Sequence, residues 1–464
     1  MIVTRRQMMQ HSSFLLGGLA LGNLVGCGTT TKTAAVPLRR PRSSKLQILQ
    51  VGVGGTIAPA DREQLTKHPD VALVGLCDVD SDALATVAHE FPSAFTCVDW
   101  REAFAKHADK FDAVVVCTPD HNHAVIMANA MAAGKHVYGQ KPLVQQLSEV
   151  AVIDSAVRAH PELVTQVGNQ RMGPSGRQHA VDILRQGLLG KAIEAHVWID
   201  GPPDDGSFYF YYGGLKAPSP PPANLNWPLW LGCAMDAPFR EGLGPVRWRS
   251  SWDYGTGQLG DWCTHLLDVL VFAYDLGSPY AVLADTHHPS DFYHALQVQT
   301  VLSYQGGGDK FANPVFPVHY NDKGQFPSRA ALGIPEGKFG SIGTLVVCED
   351  GVLNVAPEGE IEVWRDGKAV DWKTIPGQSS ITGRNHWHSW VDKIMGKNDA
   401  LVQSPFSAAV RMAEAGVLCA RAARFPGQEL RWDRPTLSFT NNEEATKTIV
   451  RREYRPGFEM PVFS

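Results

Sequence analysis

The chain has 464 residues, too many for one ordinary core and enough for two domains with additions. Hydrophobic residues at 44% and charged residues at 19% describe a globular chain and exclude a disordered one. The formal net charge is -5 with no long basic run, so no nucleic-acid partner is expected, because that binding rests on clustered Lys and Arg.

Thr4, Arg5, Arg6, Gln7, Met8 and Met9 form a twin-arginine pattern, followed by an apolar stretch from Phe14 to Val25. That stretch contains three Gly and is too short to read as a membrane span. It ends in Leu24, Val25, Gly26 and Cys27. In this order the features resemble a bacterial Tat lipoprotein signal. The resemblance implies that residues 1–27 are an address, that Cys27 becomes a lipid-bearing first residue, and that the protein is exported to the periplasm. Its only contact with the membrane is then that anchor. Residues 28–44, rich in Thr, Pro and Arg, read as a flexible tether. The seven remaining cysteines are scattered without a C-x-x-C pair, so no essential disulfide and no structural zinc are expected.

From Lys45 strands and helices alternate. Leu46–Val53 is an apolar run ending at glycine, and a helix is predicted over 60–67. Val71–Asp78 is a second strand ending in an acid, followed by a helix over 82–90. Phe111–Cys117 is continuously apolar, as a strand buried on both faces should be. A helix over 124–133 closes at Gly134, and Lys135–Tyr138 is a short strand. Repeated units of this length predict a parallel, doubly wound Rossmann sheet over 45–165. Beyond it, 166–464 reads as a second α/β domain with a large, open, mainly antiparallel sheet. In that part a helix is predicted over 177–186 and a strand over 193–199. Residues 201–230, rich in Pro, Gly and aromatics, read as a surface excursion. Strands are predicted over 295–304 and 343–347, and helices over 386–395 and 408–423.

Gly52, Gly54, Gly55, Thr56 and Ile57 lie between the first strand and its helix. Gly52 and Gly54 match the first two positions of G-x-G-x-x-G, the tight turn and the close approach to a pyrophosphate, while Ile57 takes the third. Diphosphate oxygens would meet free N–H groups at the helix N-terminus. Asp78, 24 residues after Gly54, has the spacing of an acid that bonds the ribose hydroxyls, with Asp80 close enough to share that role. An acid there repels a 2′-phosphate, which favours NAD over NADP. Thr118, Pro119, His121 and His123 follow the third apolar strand, where ligand crevices form. His121 and His123 supply only two metal ligands, so the loop is assigned to the cofactor and no metal is expected. Lys141, next to Pro142, could stabilise a developing alkoxide. Asp261 and His265 are four residues apart on a helix-like run, where a carboxylate can orient an imidazole as a base. Asp268 lies three residues further on and could support the same face or make a salt bridge.

This set resembles the glucose–fructose oxidoreductase/inositol dehydrogenase (Gfo/Idh/MocA) family, from Lys45 to the end of the chain. The resemblance implies that Lys141 is the Lys of a Glu-Lys-Pro motif, with Asp261 and His265 as the Asp-x-x-x-His pair. Two departures stand out: Gln140 replaces the motif Glu, and Ile57 replaces the third Gly. Stretches 165–170, 226–232 and 452–455 are similar to an exported branch of the family. The activity implied is NAD-dependent hydride transfer at a hydroxyl of a sugar, glycoside or polyol, with bound cofactor. His265 would be the acid/base, Lys141 would polarise the hydroxyl, and Asp261 would orient His265 or the substrate. Asn169, Gln170 and Arg171 could contact sugar hydroxyls, with Trp230 or Trp252 as a stacking face. The alternative is a redox-neutral, NAD-dependent glycosidase or lyase working through a transient keto-sugar. The resemblance also implies a homo-oligomer, dimer or tetramer, joined through the open sheet of the second domain.

Overall fold

The computed structural model describes residues 36–201, 210, 214–243, 247–286, 291–323, 326–375, 383–397 and 402–463. The twin-arginine pattern and Cys27 lie outside them. Six strands form the first sheet: β1 (Leu46–Val51), β2 (Val71–Cys77), β3 (Phe95–Cys97), β4 (Ala113–Val116), β5 (His136–Gly139) and β6 (Thr165–Val167). All pair parallel, in the order β3-β2-β1-β4-β5-β6, the doubly wound arrangement expected from the alternation. Helices α1 (Ala58–Thr66), α2 (Ser81–Glu90), α3 (Trp100–His107), α4 (Asp120–Ala132) and α5 (Leu147–Ala159) make the crossovers. The reading of the sequence misses β3, α3, α5 and β6. β3 is three residues long, and α3 announces itself mainly through Asp99, whose carboxylate caps the Arg101 N–H.

The sheet's last strand runs to Val167, two residues past the boundary expected at 165. A linear boundary also misses a packing relationship. Leu46, Ile48, Val115 and Tyr138 on one sheet face are covered by Trp390, Val391 and Ile394 of α9 (His386–Met395). The Trp390 indole donates to the Val164 carbonyl at 3.2 Å, fixing that cover to the entry of β6.

After α6 (Ser175–Arg185) comes a ten-stranded sheet containing β7 (Ala192–Ile199), β8 (Ala281–Asp285), β9 (Gln299–Gln305), β10 (Val315–Asp322) and β11 (Ile342–Cys348). Its pairs are antiparallel except β7 with β10, which run parallel. Along β10, Phe316, Val318 and Tyr320 alternate with less buried residues, so one face enters the core. That face packs on α8 (Gly257–Tyr274), which in turn packs on α10 (Phe406–Ala422). The Tyr320 hydroxyl donates to the Leu259 carbonyl of α8 at 2.6 Å.

The described part of the 201–230 excursion does more than cross the surface. Ser81 N–H donates to Asn224 O and Asn226 N–H to Val79 O, both at 2.9 Å, docking it beside the end of β2. The short helix α7 (Trp227–Leu231) then stacks Trp227 on Trp230, with ring centroids 4.7 Å apart, within an aromatic cluster that includes Phe239, Trp248 and Tyr254. No helix of the described residues is long and apolar enough to cross a membrane.

Candidate active site

A cleft of about 860 Å³ opens beyond the carboxyl ends of β1, β2, β4 and β5, a size suited to a cofactor-scale ligand. Gly52, Gly54, Gly55, Thr56 and Ile57 line it, together with Asp78, Thr118, Pro119, His123, Lys141, Gln170, Arg171, Asp261 and His265. The excursion contributes Leu225, Trp227 and Trp230 to its wall.

The glycine turn is shaped for close backbone approach. Gly52 has φ +80°, and a Cβ there would sit 2.7 Å from the Cys117 carbonyl oxygen, so only glycine fits. Gly55 has φ +73° with no atom within 4 Å of where its Cβ would be, which leaves bare backbone at the cleft. The first hydrogen bond at the start of α1 is Asp61 N–H to Ile57 O, so the N–H groups of Gly55, Thr56, Ile57 and Ala58 are helix-terminal donors with no partner among the described residues. Ile57, at the third glycine position, is the N-cap residue.

Asp78 is engaged differently from the sequence expectation. Its Oδ2 accepts from the N–H groups of Val53 and Gly54 at 2.7 and 2.9 Å, and its Oδ1 from Asp80 N–H at 2.9 Å. Burial raises its pKa, and these bonds oppose the shift. The acid therefore staples the glycine turn to β2, with about one of its roughly four acceptor sites left for a ribose hydroxyl. Asp80 caps α2 and accepts from Asn224. The Thr118 hydroxyl is buried, lines the cleft and has no hydrogen-bond partner among the described residues. Bare glycine backbone, unpaired helix-terminal N–H groups and an orphaned hydroxyl together fit a dinucleotide.

At the other end of the cleft, the Lys141 ammonium donates to Asp261 Oδ2 at 3.0 Å and to the Asp261 carbonyl at 3.1 Å. The Lys141–Pro142 peptide is cis. The His123 ring spans the two loops, with Nδ1 2.7 Å from Pro142 O and Nε2 2.7 Å from Thr118 O. Arg249 lies 3.6 Å from the second Asp261 oxygen, and the Trp262 ring faces Lys141 and Arg171 at 5.9 and 5.3 Å. Asp120 completes the group. Burial, then the charge of Asp261, raise its carboxyl to about 7, while Thr256 donates to it at 2.9 Å.

His265 is buried, and burial together with the charges of Lys141, Arg171 and Arg177 holds its pKa well below the ordinary value, so the ring is neutral. Its tautomer follows from its neighbours. Asp268 is paired with Arg177 and accepts from Asn169 Nδ2 at 3.0 Å. Asn169 Oδ1 is then the acceptor left for His265 Nδ1, at 3.0 Å. The proton sits on Nδ1, and the lone pair is on Nε2, which has no partner among the described residues.

Three assignments need correcting. Trp252 does not line the cleft: it packs against the His294 ring, with centroids 3.8 Å apart, and under Arg424, because the turn at 247–256 aims Trp248 and Arg249 inward instead. His121 lies beneath the site, its Nε2 3.1 Å from Trp230 O, because α4 begins at Asp120 and turns that ring away from the cleft. Asn169 is fully buried behind His265 rather than exposed to a sugar. Sequence reasoning missed Arg249, Trp262 and Asp120. Trp262 was accessible in principle, since it adjoins Asp261 on the same helix, whereas Arg249 belongs to no motif.

Residues 46–168 match the Gfo/Idh/MocA model described as an oxidoreductase family, NAD-binding Rossmann fold, and residues 178–308 match its C-terminal alpha/beta domain. Inositol 2-dehydrogenase of Gluconacetobacter diazotrophicus is 31% identical over 125 residues, 27% of this chain and 36% of that protein. Glycosyl hydrolase family 109 protein 2 of Akkermansia muciniphila is 25% identical over 220 residues, 41% of this chain and 46% of that protein. These matches cover less than half the length of either curated relative. The WlbA dehydrogenase of Bordetella pertussis, solved in complex with NADH and UDP-GlcNAcA, shares the fold with a TM-score of 0.59 at 16% identity, over 84% of this chain and 98% of that one. Carrying both matched domains, the chain belongs to the Gfo/Idh/MocA oxidoreductase family, and its first domain is an NAD-binding Rossmann fold.

Proposed function

We propose that the protein oxidises a hydroxyl-bearing carbon of a sugar, glycoside or polyol, or reduces the corresponding carbonyl, using tightly held NAD. The observation that carries this reading is a neutral His265, with its free Nε2 in one cleft with Lys141 and the glycine turn. Bound NAD supplies a hydride acceptor. The Gly55–Ile57 backbone and Thr118 would hold it, and Asp78 would offer its remaining acceptor site to a ribose hydroxyl. The Lys141 ammonium, steadied by Asp261, polarises the substrate oxygen. His265 Nε2 takes the hydroxyl proton, and Asn169 keeps Nδ1 as the donor while it does so. Gln170, Arg171 and the Trp262 face offer hydrogen bonds and an apolar surface to a sugar ring. Nucleotide released from denatured full-length protein, identified by mass spectrometry, tests the cofactor half. A polyol and glycoside screen read by nicotinamide absorbance tests the other half. Protein that is empty and refuses every pyridine nucleotide overturns the reading.

A second reading is favoured by the longer of the two curated matches described above, which is to a glycosyl hydrolase: 220 residues against 125. In that reading the same proton and hydride transfers are transient, and a glycosidic bond is broken without net redox change. A stable keto-sugar product separates the first reading from released aglycone in the second. Residues Thr4–Met9 and Leu24–Cys27 support export by the Tat route and lipid attachment at Cys27 in the periplasm. Globomycin-sensitive processing of the precursor tests that placement. The broad second sheet supports a dimer or tetramer, which light scattering on the detergent-free, signal-deleted chain would read.

A further inference from the structure

The core-facing side of the ten-stranded sheet carries α8, and with it Asp261 and His265. The opposite side presents a different group of residues. Glu194 and His196 are two apart on β7, so they share a face, and His319 of β10 stands directly opposite His196 in the parallel pair. One donor atom from each of the three lies within 4.8 Å of the others. His196 Nε2 is 3.2 Å from a Glu194 oxygen, and the two imidazoles stack with centroids 4.7 Å apart and planes 9° apart.

We propose that Glu194, His196 and His319 form a binding site for a divalent transition-metal ion of the zinc class. Two imidazoles and one carboxylate are a donor set used by open zinc sites, which keep a further position for water. Metal–ligand bonds of about 2.0–2.1 Å in a tetrahedron put neighbouring donors about 3.3 Å apart. The His196–Glu194 pair already stands at that separation, and the His319 donor, within 4.8 Å of both, would complete the set by a change of side-chain torsion. Oxygen-preferring ions such as magnesium are poorly served by two nitrogen donors. A bound ion would tie β7 to β10 at the sheet's parallel joint, two strands contributed by distant parts of the chain.

The test uses tag-free, full-length protein stripped with chelator, then titrated with zinc in a calorimeter and with cobalt in a visible spectrophotometer. One ion per chain is expected, with the intense cobalt absorption of a four- or five-coordinate site and a higher Tm with zinc. His196→Ala and His319→Ala should each weaken binding by more than the roughly 10–100-fold typical of losing an outer-shell partner. Glu194→Gln, a milder change that keeps the side chain's shape, should weaken it measurably while the metal-free Tm stays put. Turnover should be unaffected in all three, since none of them lines the cleft. Wild-type protein that takes up no cobalt, or a His196→Ala/His319→Ala protein that binds it as well as wild type, overturns the proposal.

Discussion

The side-chain amide of Gln140 donates to the buried carboxylate of Asp61 at 2.6 Å. The same carboxylate accepts from the Trp387 indole at 2.7 Å and from the Cys117 thiol at 3.4 Å, and burial pushes it up to about 6. The carboxylate beneath the Lys141 loop is therefore that of Asp61 from α1, with Gln140 as its donor. Gln140→Glu would face two carboxylates at hydrogen-bond distance and should cost about 3 kcal/mol, the scale of a broken buried charge contact. Asp61→Asn combined with Gln140→Glu should recover most of that loss. Urea unfolding of the four proteins in a double-mutant cycle measures the coupling. Full stability in the Gln140→Glu single variant would contradict the pairing.

Asn169 touches His265 but not the cleft, so its removal should separate turnover from binding. Asn169→Ala frees the imidazole to adopt the other tautomer, with the proton on Nε2. We expect kcat to fall by about 10²-fold, the lower range for loss of a positioned base, with NAD affinity unchanged. Steady-state kinetics alongside a cofactor titration checks this, and a matched loss of NAD affinity would reassign Asn169 to the cofactor.

Lys141→Ala and His265→Ala should each lower kcat by about 10²- to 10⁴-fold while the protein still folds. Undiminished turnover in either would remove that residue from the chemistry.

Asp120 sits at about 7 beside the Lys141–Asp261–Arg249 group. Above that pH it ionises and adds negative charge next to the ammonium. The wild-type profile of kcat/KM should therefore bend near pH 7, and Asp120→Asn should remove the bend. An unchanged profile in the variant would place the titrating group elsewhere.

Burial keeps seven imidazoles neutral. His121 and His123 are pushed down to about 3 and about 4, His136, His319 and His386 to about 4, and His265 and His294 well below the usual range. As pH falls through about 6.5, the unfolded chain gains protons that the folded one refuses, at about 1.4 kcal/mol per proton per pH unit. Asp61, Asp120 and Asp322, raised to about 6, 7 and 7, act the other way, as do the raised Asp78 and Glu414. The folded chain keeps protons on these acids that the unfolded chain releases. Imidazoles outnumber the raised acids, so Tm should drop between pH 7 and pH 5. A flat or rising Tm across that interval would count against neutral buried histidines.

Strands β1, β2 and β4 were legible because each is an apolar run stopped by glycine, acid or cysteine, and the glycine turn and Lys141–Pro142 fell where strand ends put them. What escaped was set by distance in sequence. His196 and His319 meet only because β7 and β10 pair in register. Trp252 and Trp248 look alike in sequence, and an irregular turn rather than a helical period decides which one faces the cleft. Asn169 has the polarity of a sugar ligand, yet Asp268 and His265 claim both ends of its amide.

The helix His386–Met395 covers the nucleotide sheet from far down the chain. A ribosome must have made Trp390 and Ile394 before the cover over Leu46, Ile48 and Tyr138 is complete. A fragment ending at residue 168 would therefore leave part of this sheet face open to water, where the whole chain closes it with Trp390, Val391 and Ile394.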